Sequence, residues 1–298
     1  MRVRSLGVNH DVSTGTAQTE KPSSPDGAMN TAADAAIRKK SGLFADDPLR
    51  YGVRAVLAGA YLTLGTAFAV VAGDAVNDVA PGLGPVVFGM CFFIGLAMIL
   101  QVGAELATGT MMFMVFGAVR GHLSWGRAVS IIMWTVVLNL VGAVLVAVIL
   151  GQSGKMGGLG ADHLLATLSD GKLHKGPWGV LSEGILANCL VNVAILGGLT
   201  MKDYAGKFLF IQFVIGAFVV LGLEHVIANF SLFTLSLFCL GDGFASGADV
   251  LPSLTWSNVL DNWGMALLGN FIGGGLIIGG LYSWLNHGSS QGARLYRD

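Results

Sequence analysis

Charged side chains are what this sequence has least of. Asp, Glu, Lys and Arg make up 12% of its 298 residues, against about 25% in soluble domains. With 53% hydrophobic residues and a mean hydropathy of +0.68, that shortage excludes a soluble globular protein and places the chain in a lipid bilayer. The net charge of -1 leaves no basic excess for nucleic acid. Cysteine is sparse as well. Cys91, Cys189 and Cys239 sit in apolar runs without disulfide or metal-site spacing, so they are packing residues. No His-Glu-x-x-His pattern and no recognisable Ser or Cys nucleophile motif occurs, so no metal site, cofactor or enzymatic activity is expected. Residues 1–30 are rich in Ser, Thr, Gly and Asp and lack an n-region followed by an h-region. They are expected to be a disordered tail without a signal peptide.

Glycine and long apolar runs are abundant instead. The 44 glycines let transmembrane backbones approach closely. Residues 31–50 carry Ala and Ile spacing suited to a short amphipathic surface helix, with Arg38, Lys39 and Lys40 beside it. Six apolar segments then fill residues 51–286, at about 51–77, 83–119, 126–151, 177–200, 208–240 and 262–286. Four have ordinary spanning length. The second and fifth are too long for one straight helix, and each holds a polar, Gly-bearing interruption, GAELATGT at 103–110 and GLEHVIAN at 222–229. Interrupted helices at matching places in two halves point to a transport site near the midplane.

The halves correspond in order. AVLAGAYL at 55–62 parallels GILANCLV at 184–191, Glu105 parallels Glu224, and NLVGA at 139–143 parallels NFIGG at 270–274. Three spans per half make the repeats inverted. The expected fold is therefore all-α and integral to the membrane, with six transmembrane helices in an inverted 3+3 repeat and helices 2 and 5 broken. Arg38, Lys39, Lys40, Arg50, Arg54, Arg120, Arg127, Lys202, Lys207, Arg294 and Arg297 fall on one side, and only Lys155, Lys172 and Lys175 on the other. Both termini, including the tail at 287–298, are then cytoplasmic.

The candidate site is the stretch FVVLGLEHVIANF at 218–230, which sets Glu224, His225 and Asn229 in an apolar run. Ionisable groups at that depth are costly and functional by default. Histidine ordinarily titrates near neutral pH, so His225 can donate a hydrogen bond to a small anion or pass it a proton. Glu105 and Glu224 are expected to accept hydrogen bonds from backbone N–H groups orphaned by the two breaks.

The strings GAELATGTMMFMVFG at 103–117, EGILANCLVN at 183–192 and GLEHVIANFSLF at 222–233 resemble the formate/nitrite transporter family, over roughly residues 30–286. The resemblance implies an aquaporin-like fold assembled as a homo-pentamer in a bacterial-type inner (plasma) membrane, with one pore per protomer. Its solutes would be small monovalent weak-acid anions, with the proton as a second partner. It implies that His225 is the central pore histidine and Thr108 the hydroxyl of the loop that breaks helix 2. Phe92 and Phe218 match the constriction aromatics, and Leu96 and Leu106 their apolar companions. Lys172, in SDGKLH, is similar to the family's vestibule lysine and Asn188 to the asparagine near it. Asn139, Asn229 and Asn270 would brace the breaks. Ala107 departs from the pattern, standing where formate channels commonly carry a larger aromatic residue. AGAYLTLG, TMMFMVFG and ANFSLFTLSLF are closer to the nitrite branch.

Two other classes compete. An aquaporin-like channel for neutral small solutes also uses broken half-helices, but paired Asn-Pro-Ala motifs are absent here and the breaks carry Glu and His. An intramembrane enzyme would have to work with His225 as the lone histidine inside an expected span.

Overall fold

Glycines and asparagines decide how closely the helices of this chain approach. The computed structural model describes residues 28–286, so the tail sequences at 1–27 and 287–298, with Arg294 and Arg297, lie outside the described residues. Its named elements are all helical: α1 (Ala28–Asp46), α2 (Pro48–Asn77), α3 (Gly84–Val102), α4 (Ala107–Val119), α5 (Trp125–Gly151), α6 (Leu164–Leu173), α7 (Pro177–Thr200), α8 (Tyr204–Val220), α9 (Val226–Cys239), α10 (Gly247–Val250) and α11 (Trp256–Asn270), which runs on through a π-helical stretch (Phe271–Leu281) into α12 (Tyr282–Leu285).

Helix starts follow local chemistry. The Asp47 carboxylate accepts the Arg50 N–H at 3.1 Å and Pro48 opens α2. A proline disfavours helix in the residue before it, so α1 stops at Asp46 rather than running to residue 50. It also starts at Ala28, inside the stretch assigned to the tail, because Asn30 is buried and donates to the Asn286 carbonyl at 2.8 Å. Ser124 and Thr255 cap α5 and α11 through the N–H groups of Arg127 and Asn258.

Five helices among the described residues are long and apolar enough to cross a membrane: Pro48–Asn77, Gly84–Val102, Trp125–Gly151, Pro177–Thr200 and Trp256–Leu285. The apolar segment at 208–240 is divided between α8 and α9, and neither piece has spanning length alone. α4 and α9 differ from the rest in being enclosed. Every residue from Ala107 to Ala118 is buried, as is nearly every residue of α9, and a helix apolar all round belongs in the middle of a molecule. α3 packs along α2 and α8, α9 against α5, and α4 against α5 and the π-helical stretch.

One set of contacts occurs twice. A Cβ on Gly142 of α5 would lie 1.9 Å from the Val56 carbonyl of α2, and a Cβ on Gly273 would lie 2.0 Å from the Ile185 carbonyl of α7. Only glycine allows either approach. Three residues before each glycine an asparagine reaches across the same pair of helices: Asn139 donates to the Ala55 carbonyl at 2.7 Å and Asn270 to the Gly184 carbonyl at 2.8 Å.

Candidate functional site

The two asparagines also hold the non-helical backbone that precedes α4 and α9. After α3 the chain turns at Gly103, with φ of 68°. Asn139 then donates to the Glu105 carbonyl at 3.0 Å and accepts the Ala107 N–H at 2.9 Å. After α8 it turns at Gly222, with φ of 69°. Asn270 donates to the Glu224 carbonyl and accepts the Val226 N–H, both at 2.8 Å. Each Asn amide thus supplies a donor and an acceptor to the backbone between helices, as irregular backbone inside a membrane requires.

Glu105 and Glu224 do something other than expected. Their carboxylates take ammonium groups rather than orphaned N–H groups. Glu105 pairs with Lys40 of α1. Glu224 Oε1 receives both Lys172 and Lys175 at 2.8 Å, and its Oε2 receives Asn229 at 2.6 Å and Asn262 at 3.3 Å. The physical reason is that a fully buried carboxylate is held far better by a cation than by a neutral amide. Asn229 accordingly braces the carboxylate rather than the backbone.

The first turns of α4 and α9 meet at one hydrogen bond, Thr108 Oγ1 to His225 Nε2, at 2.8 Å between two buried side chains. His225 is the N-cap of α9, and its Nδ1 accepts the Ala228 N–H at 3.0 Å. That cap leaves Nδ1 without a hydrogen in the neutral ring. Nε2 therefore carries the proton and donates to Thr108, whose own hydroxyl hydrogen is left for another acceptor.

On the side of this pair toward α6, aromatic rings follow in series. Centroids lie 5.8 Å apart for His225 and Phe218, 6.1 Å for Phe218 and Phe92, and 5.9 Å for Phe92 and Phe88. The three Phe rings line a cavity of about 130 Å³ that Lys172 also reaches. Burial pushes the Lys172 ammonium below its ordinary range, and the Glu224 carboxylate opposes that fall. Leu96 of α3 and Leu106, the N-cap residue of α4, are buried in the same core.

Asn188 faces the turns rather than bonding to Lys172. Its amide donates to the Asn270 carbonyl at 2.7 Å and to the Thr108 carbonyl at 3.3 Å. The neighbouring Asn192 reaches the same Thr108 carbonyl at 3.3 Å. Asn188 is thus a support for the turn that carries Thr108. A polar group on a spanning helix seeks nearby carbonyls, and here the nearer one ends α11 at Asn270 and the other belongs to Thr108 of α4.

A family model described as "Formate/nitrite transporter" matches residues 27–284, nearly the whole described chain. The chain belongs to the formate/nitrite transporter family. It is similar to the nitrite transporter NirC of Escherichia coli K12, with 32% identity over 237 residues, 80% of this chain and 84% of that protein. Among solved structures, a chain called an FNT family ion channel superposes with a TM-score of 0.76 at 30% identity, covering 86% of this chain and 97% of its own length. A second, a pentameric formate channel with formate bound, shares the fold with a TM-score of 0.63 at 22% identity, covering 79% of this chain and 96% of its own. As a member of a transporter family with several membrane-capable helices, the protein is a membrane protein.

In this member of the formate/nitrite transporter family, the sequence marked Lys175 as one of three lysines on the sparsely charged side but did not pair it with Glu224. Lys40, Asn192 and Asn262 carried no signal until the fold brought them to Glu105, Thr108 and Glu224. Lys40 lies 65 residues from Glu105 and looks like one charge among several on a surface helix.

Proposed function

We propose that this protein is a channel or proton-coupled carrier for formate, nitrite or a similarly small weak-acid anion. The single observation that supports this most is the buried His225–Thr108 pair where the two interrupted helices meet. In this reading α3 with α4 is the broken second span and α8 with α9 the broken fifth, in an inverted 3+3 repeat of six. The twinned contacts of Asn139 and Gly142 with α2 and of Asn270 and Gly273 with α7 support that reading. The protein would assemble as a pentamer, as the similar formate channel is named to do, in a plasma membrane with both termini cytoplasmic.

Passage proceeds in steps that the side chains suit. Stripping water from an anion costs several kcal/mol, so Lys172 draws it to the aromatic cavity while Phe92, Phe218, Leu96 and Leu106 exclude bulk water. At the centre the Thr108 hydroxyl donates to the anion and is itself held by His225 Nε2–H. Full proton transfer takes an imidazolium, whose new Nδ1–H has to displace the Ala228 N–H. Proton coupling and the cap of α9 are therefore one event. The resulting neutral acid crosses the apolar rings without a desolvation cost of that size.

Purified protein in liposomes tests the assignment. Formate and nitrite gradients are expected to drive uptake. If no anion uptake is seen while water or glycerol permeates, the anion assignment fails and a neutral-solute channel takes its place.

A further inference from the structure

The N-terminal end of α2 and the C-terminal end of α3 enclose a second concavity, an open groove of about 460 Å³ that the transport reading does not use. Its two ends differ in chemistry. Arg50 and Arg54 are one helical turn apart and share a face. The Arg50 side chain is 81% exposed and pairs with Asp47 at 3.1 Å, an exposed ion pair of the kind that contributes little. Arg54 donates to the Gly103 carbonyl at 2.6 Å. Beyond them along α2 the groove is hydrocarbon. Val53 and Leu57 line it from α2 and Val102 from α3, and they are exposed by 52%, 38% and 57%. Leu57 lies seven residues beyond Arg50, about 10 Å along the helix.

We infer that this groove binds one anionic phospholipid, its phosphate between Arg50 and Arg54 and an acyl chain along Val53, Leu57 and Val102. A headgroup phosphate without chains would leave the apolar length uncovered, and a neutral lipid would leave the guanidinium end unmatched. The backbone supplies a second reason. Gly103 and Ala104, the half-exposed start of the first break, form part of the groove wall. Irregular backbone facing lipid needs cover from polar groups. Arg54 covers the Gly103 carbonyl, and a headgroup held by Arg54 and Arg50 closes the groove over the turn. Asp47 and Asp46 are the acidic groups nearest in sequence. Asp47 already caps α2, and its ion pair with Arg50 gives way to the stronger pairing of guanidinium with phosphate.

The test uses the full chain purified in neutral detergent, with phosphatidylglycerol or phosphatidylcholine of the same acyl chains added and retention read by native mass spectrometry. Phosphatidylglycerol is expected to be retained in preference to phosphatidylcholine. Arg50→Gln should weaken that retention about fivefold, the equivalent of one basic side chain at a lipid surface. Lys39→Gln, which removes an exposed charge from α1 outside the groove, should leave it unchanged. Leu57→Asn should weaken phosphatidylglycerol retention, and glycerol phosphate should show none. Equal retention of the two lipids, an equal effect of Lys39→Gln and Arg50→Gln, or equal retention of glycerol phosphate each overturns the site. So does intact retention in Arg50→Gln, with Leu57→Trp dissociating the assembly, since the groove would then belong to a second copy of the chain.

Discussion

Glu224 holds two ammonium groups on one oxygen, and this changes how Lys172 acts. With Glu183 also on Lys175, the cluster of Lys172, Lys175, Glu183 and Glu224 sums to zero charge when all are ionised. In the proposed function Lys172 therefore attracts an anion by position, as the ammonium that reaches the aromatic cavity, and not through a surplus of charge. Truncating it to alanine leaves Glu224 with Lys175 as its one cation beside the Asn229 and Asn262 amides, a smaller loss than the cost of about 3–5 kcal/mol for a buried charge stripped of every counter-ion. Lys172→Ala is expected to lower both thermal stability and uptake at low substrate. The pair Lys172→Met with Glu224→Gln should recover much of the stability and none of the uptake. A double variant that regains transport would show that Lys172 serves only to neutralise Glu224.

Among the elements, the two interruptions share one construction. Asn139→Leu removes the partners of the Ala107 N–H and of the Glu105 carbonyl, and each orphaned group costs about 1–3 kcal/mol, while the Ala55 carbonyl loses a second bond and keeps the one within α2. Asn270→Leu does the same to Val226, Gly184 and Glu224. Both variants should unfold at clearly lower temperature in a detergent melt, by similar amounts. A large loss for one and none for the other would contradict the equivalence. Part of this was legible in the sequence, because the glycine-bearing polar strings at 103–110 and 222–229 mark the non-helical backbone just before α4 and α9. The matching of NLVGA with NFIGG pointed to the residues that brace both turns. The partners of the two glutamates were not legible. Spacing along the chain shows which carbonyls a break exposes, but not which lysine 49 to 65 residues away the fold will deliver. The π-helical widening at Phe271–Leu281 had no signal either, since its glycines would suit an α-helix equally well.

For the whole molecule, the enclosed helices α4 and α9 form a centre around which the longer helices pack, and His225 with Thr108 sits where their first turns meet. The Nε2–H assigned to His225 makes it a hydrogen-bond donor at rest, and in the proposed mechanism it becomes a proton donor only when the cap of α9 opens. The most direct test is initial formate and nitrite uptake into liposomes across an outer pH series, for the native chain and for His225→Phe. Native uptake should rise as the pH falls. Loss of the His225–Thr108 hydrogen bond, about 0.5–1.5 kcal/mol, should slow the variant by roughly two- to tenfold, and the variant should lose the pH dependence. A His225→Phe protein that keeps the full pH profile would contradict the proton-relay account.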